Sequence, residues 1–180
     1  MRDRLTLLLL VALAACGKAE PMLAPGESLA AGDSAVASLY RAGLSFGVTR
    51  LEVSRRLGRP DSTSIAPSPN RHDTTATDTV RFLGFGRLAY IFLQPARAQH
   101  EFLLQVETGD PGRPDLRPIL IGRTPAGEVR TRLGEPSRTD TLADTLALWY
   151  TNPGEAADDM VGLYLLRDTL RLVRWVPYVD

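Results

Sequence analysis

Cysteine occurs once in these 180 residues, at position 16. A single thiol excludes an intramolecular disulfide and any cysteine cluster for structural zinc, so the folded part must stand on its hydrophobic core. Histidine is nearly as scarce, at His72 and His100 alone, and Lys18 is the sole lysine. Formal net charge is zero, from 21 basic and 21 acidic residues. Such a balance offers no long-range attraction for a polyanion and argues against nucleic acid as a partner. The arginines are spread along the whole chain, which suits GC-rich codon usage better than a phosphate-binding patch. No apolar run reaches the roughly 20 residues that a membrane-spanning helix needs.

What is present fits an ordinary globular composition: 44% hydrophobic and 23% charged residues. The N-terminus differs in character. Arg2-Asp3-Arg4 precedes an apolar run over 5–13, followed by Ala14, Ala15 and Cys16. Charged, apolar and small residues in that order make a secretory signal over 1–15. Leu13-Ala14-Ala15-Cys16 resembles a bacterial lipobox. The resemblance implies cleavage before Cys16 and lipid attached to it, with two or more acyl chains giving stable anchoring. Gly17 in place of aspartate implies the outer membrane rather than retention at the inner one. Residues 16–32, without an aromatic, read as the lipidated end and a tether reaching at most about 55 Å.

The remainder contains an internal repeat. Glu52-Val53-Ser54-Arg55-Arg56-Leu57-Gly58-Arg59-Pro60 returns as Glu128-Val129-Arg130-Thr131-Arg132-Leu133-Gly134-Glu135-Pro136. Thr49 and Glu52 have capping-box spacing, and Thr124 with Pro125 at the first helical position suits the second copy. Val53 and Leu57, like Val129 and Leu133, share one helix face. Gly58 and Gly134 suit helix stops, and the prolines prevent continuation. Each copy is a helix too short to persist alone.

Strand-like runs follow each helix: 80–85, 88–93 and 101–106, then 146–150, 161–166 and 170–176. The Ser/Pro/Asn-rich stretch 65–73 reads as a loop, and 33–42 as an additional helix stopped by Gly43. The expected fold is α+β: two tandem helix–three-strand antiparallel units forming one sheet with helices packed on one face. The first unit spans 33–108 and the second 109–180, beginning with a Pro/Gly-rich linker. Tyr90 and Tyr164 take corresponding places in this alignment.

The Leu-Gly-x-Pro helix followed by three strands with aromatic pairs resembles the SmpA/OmlA (BamE-type) lipoproteins. Two units in tandem resemble the architecture of β-lactamase inhibitory proteins. The resemblance covers about residues 34–178 and implies a sheet surface that binds proteins, without a catalytic site. It suggests an envelope-assembly or protein-binding module with an unidentified envelope protein as partner. The alternative is a tethered inhibitor of a secreted hydrolase.

A search for chemistry supports a non-enzyme. His72-Asp73 falls in the expected loop without a nucleophile elbow, and the aspartates lack calcium-loop spacing. The Asp-Thr pairs at 78, 144 and 168 suit local hydrogen bonding at strand starts. No metal, cofactor or catalytic residue is expected. The aromatics on expected strands, Tyr90, Phe92, Trp149, Tyr150, Tyr164 and Trp175, are candidates for a partner-binding surface. Core packing is the competing use for each. Strand 88–93 is apolar on both faces, with Leu88, Tyr90 and Phe92 opposed to Ala89, Ile91 and Leu93. One of these faces would remain open if helices cover only the other.

Overall fold

The computed structural model describes residues 31–153 and 159–177. The signal and Cys16 lie outside the described residues. Helix α1 (Ala31–Gly43) begins inside the stretch expected to be tether. Helix α2 (Arg50–Leu57) leads into strands β1 (Ser62–Pro69), β2 (Thr77–Phe85), β3 (Leu88–Gln94) and β4 (Phe102–Thr108). Helix α3 (Ala126–Leu133) leads into β5 (Arg138–Leu142), β6 (Thr145–Thr151), β7 (Met160–Leu166) and β8 (Thr169–Val176).

The strands form one sheet in the order β1-β2-β3-β4-β8-β7-β6-β5, antiparallel throughout. Two four-stranded meanders thus meet through their last strands, with their first strands at the outer edges. The join is short: Val106, Glu107 and Thr108 face Trp175, Arg174 and Val173.

Each half has four strands where the sequence suggested three. The expected loop at 65–73 is largely β1, paired along its length with β2. Pro67 and Pro69 disguise it, because proline is tolerated in a sheet only where its missing N–H faces a free edge. β5 is short, polar and exposed along its length, so it carries no alternating apolar signal.

The core lies between one face of the sheet and the helices. Val36, Leu39 and Tyr40 of α1, Val53 of α2, and Val129 and Leu133 of α3 meet Leu88, Tyr90, Phe92, Leu148, Leu163, Val173 and Trp175. Leu116, Ile119 and Ile121, in the connection between halves, are buried in the same cluster, so this stretch fills core as well as spanning it. Each fully buried Leu, Ile or Val contributes about 1.5–3 kcal/mol relative to exposure. Trp175 lies at the centre: its Nε1 donates to Leu39 O at 3.0 Å. A Cβ on Gly43 would come within 2.3 Å of the indole. Gly43 therefore admits the tryptophan beneath the end of α1 as well as closing the helix.

The repeated helices begin differently. At α2 the capping box forms as expected: Glu52 N donates to Thr49 Oγ1, and Thr49 N to Glu52 Oε2. At α3 it does not. Pro125 is the N-cap and has no side chain to accept a hydrogen bond, while Thr124 Oγ1 accepts from Leu120 N instead. Ala126 N donates to Asp168 Oδ1, from the β7–β8 turn 42 residues away. Arg167 and Asp168 both adopt positive φ, 49° and 57°, as a tight two-residue hairpin requires. Asp168 thus ties a turn to a helix end rather than only opening a strand.

Candidate functional site

Direct cross-strand pairs share a face, so the register sorts every side chain. Tyr90, Phe92, Tyr150 and Trp175 point toward the helices and are buried in the core. That placement corrects their expected role as a surface. Trp149 and Tyr164 lie on the opposite face, which no helix among the described residues covers. Tyr90 and Tyr164 are therefore not equivalent: the alignment that matched them is out of step, and a one-residue shift turns a strand side chain to the other face.

In the second half this open face is built of aromatic rings and arginines. Arg138 stands opposite Trp149 in the register, with its guanidinium carbon 4.9 Å from the ring centroid. Trp149 Nε1 donates to Asp140 Oδ2 at 2.9 Å, and Trp149 is 8% exposed. Gly162, opposite Trp149, has no Cβ because one would come within 2.8 Å of the indole. Tyr164 meets Trp149 edge-on at 5.7 Å. Arg174 lies over Tyr164 at 4.8 Å and donates from Nε to Glu107 Oε1 at 2.7 Å. The cations and their carboxylates satisfy one another around the rings, while Met160, Leu172 and Val176 on the same face remain partly accessible. Burial raises the Tyr164 pKa, with Arg174 acting against the rise.

The first half presents the opposite character. The same face carries Val80 and Phe82 of β2, Ile91 and Leu93 of β3, and Phe102 of β4, paired across the strands as Val80–Leu93, Phe82–Ile91 and Leu93–Phe102. All are partly accessible, Phe82 by 37%. The two-faced apolar pattern of 88–93 signalled this surface, but the open set is Ala89, Ile91 and Leu93 rather than Tyr90 and Phe92. Val80, Phe82 and Phe102 were missed as site residues because the sequence does not say which face the helices take.

A second feature lies on the helix side. A cleft of about 900 Å³ opens between α2 and the β1–β2 edge. Leu51 and Ile65, 60% and 61% exposed, supply apolar walls, and Thr49, Ser54 and Thr63 supply hydroxyls. Glu101 binds two arginines there: Arg81 Nε at 3.0 Å through Oε1 and Arg50 Nε at 3.0 Å through Oε2.

The chain matches no family model and no curated protein. Two solved structures are similar in shape. One is a DUF4309 family protein, YjgB, from Bacillus subtilis, at 13% identity and a TM-score of 0.46 over 81% of this chain and 99% of that one. The other is a Streptococcus mutans protein provisionally named a beta-lactamase inhibitor protein, at 12% identity and a TM-score of 0.27 over 69% of this chain and 79% of that one.

The polar residues weighed for catalysis have local tasks. Asn70 Oδ1 accepts from the backbone of His72 and Asp73. Asp73 binds Thr75 and Arg97, and the Thr75 side-chain hydrogen bond is the main cause of its lowered pKa. Asp78 Oδ1 accepts from Asn70 Nδ2 and Ala96 N, joining two loops. No group of three or more His, Cys, Asp or Glu side chains among the described residues is placed to hold a metal ion. No helix among them is long and apolar enough to cross a membrane.

Proposed function

We propose that this protein is a lipid-anchored, non-enzymatic binding module of the cell envelope, with the open sheet face of its first half as the docking surface. One observation carries the reading: Val80, Phe82, Ile91, Leu93 and Phe102 form a contiguous apolar patch with no helix over it among the described residues. Contiguous apolar surface of this kind marks interaction sites. The lipobox-like Leu13-Ala14-Ala15-Cys16 supports anchoring at a membrane, and the SmpA/OmlA-type helix motif supports an envelope partner.

The test is site-specific photo-crosslinking in intact cells, with the crosslinking residue at Phe82 and a control at exposed Arg123. A discrete adduct at position 82 alone, lost on Ile91→Lys, supports docking at this face. An envelope-assembly protein in the adduct indicates scaffolding, and a secreted hydrolase indicates the alternative, a tethered inhibitor. No adduct at either position sinks the docking surface. Mass spectrometry of the N-terminal peptide tests the anchor separately: Cys16 must carry acyl chains.

A further inference from the structure

We propose that the helix-side cleft between α2 and the β1–β2 edge is a second binding site, which takes the C-terminal carboxylate of an extended peptide ending in an apolar residue. It lies on the other side of the sheet from the apolar patch and does not depend on that reading.

Charge complementarity points to the carboxylate. Arg50 and Arg81 share one acid, Glu101, leaving one positive charge in the cleft. Both reach Glu101 through Nε, and their terminal nitrogens make no hydrogen bond among the described residues. A guanidinium held by one edge keeps further donors for a second carboxylate. The Arg81 side chain is 22% exposed and lines the cleft, so its remaining donors are open to a ligand there. At the N-terminus of α2 the capping box already engages Val48 N, Thr49 N and Glu52 N.

The walls define the rest of the ligand. About 900 Å³ is within the range of small-ligand sites. Leu51, Ile65 and Leu83 give an apolar pocket for a terminal side chain. Hydroxyls of Thr49, Ser54 and Thr63 spread polarity along the cleft, which suits a peptide backbone better than an alkyl chain. β1 is an edge strand, and since Pro67 and Pro69 must turn their nitrogens to the free edge, Thr63 and Ile65, in step with them, turn their backbone groups there too. An extended chain added at that edge would gain backbone hydrogen bonds, and its terminal carboxylate would lie near the arginines.

The probe is N-acetyl-threonyl-valine as the free acid, titrated into the full chain and followed by amide NMR shifts. The C-terminal amide of the same dipeptide and decanoate are run in parallel. The free acid is expected to shift amides around Leu51, Thr63, Ile65 and Arg81, binding at least about tenfold more tightly than the amide. Arg81→Gln should abolish the difference between acid and amide. Arg50→Gln, at a more exposed position, should reduce it in a chain whose spectrum is otherwise unchanged. Equal binding of acid and amide, or no shifts at these amides, overturns the proposal. Tighter binding of decanoate than of the peptide also overturns it, making the cleft a fatty-acid site.

Discussion

The two halves start from the same helix motif and the same meander, yet solve three local problems differently. The first caps its helix from within, through Thr49 and Glu52, whereas the second borrows Asp168 from a distant turn. Tyr150 donates its hydroxyl to Gly134 O at 3.2 Å, whereas Tyr90 keeps a buried hydroxyl without a partner among the described residues. Arginines cover the aromatic rings on the second half's open face, while the first half's face stays apolar. The two halves therefore share a backbone frame, which needs only spacing and apolar positions. They differ in the surface and the polar contacts, which that frame does not dictate.

The strongest way to break this contrast is through the two tryptophans. Trp175→Ala should cost about 3–5 kcal/mol in chemical denaturation, since it empties the centre of the core and removes the indole's hydrogen bond to Leu39 O. Trp149→Ala should cost about 1–3 kcal/mol, because its neighbours on the open face can be reached by water. Equal losses would mean that the second half's outer face is also a core, and the one-sided sheet would have to be abandoned.

The tyrosines should move stability in opposite directions. Tyr90→Phe should raise it by about 1 kcal/mol by removing an unsatisfied buried hydroxyl, and Tyr150→Phe should lower it by about the same amount. Burial pushes the Tyr150 phenol up to about 12, and Tyr90 is raised further by the same cause. Neither should ionise in mild alkali, which absorbance of tyrosinate can check. A destabilising Tyr90→Phe would reveal a partner for that hydroxyl and erase this difference between halves.

The caps should give the smallest effects. Asp168→Ala should cost about 1 kcal/mol, and Asp168→Asn less, since asparagine tolerates positive φ and keeps an acceptor for Ala126 N. At α2 the contrast is in acid. Hydrogen bonds from Val48 N and then Thr49 hold the Glu52 pKa below its ordinary 4.5. Its contribution is therefore complete above about pH 4.5 and lost as pH falls through the lowered value. Glu52→Gln should flatten that part of the stability profile. An unchanged acid limb in the variant would remove Glu52 from the explanation.

Much of the frame was legible in the residues themselves. Thr49, Glu52, Gly58 and Pro60 delimit α2 by short-range rules, and the central strands declare themselves by apolar content. The edges were not legible, because β1 hides behind Pro67 and Pro69 and β5 has no apolar face. Of the six aromatic site candidates, only Trp149 and Tyr164 lie on the open face, and the apolar patch, in the first half of that face, includes Phe82 and Phe102.

The sequence by itself determined where α2 starts, where all three helices stop, that a helix motif recurs, and that strand 88–93 is apolar on both sides. Tertiary structure alone decided which side the helices cover, that Asp168 caps α3, and that Arg50 and Arg81 meet at Glu101. The reason is range. Capping and turn rules act over a few residues, whereas a strand with two apolar faces has no local preference between them. That choice falls to helices packed from elsewhere in the chain.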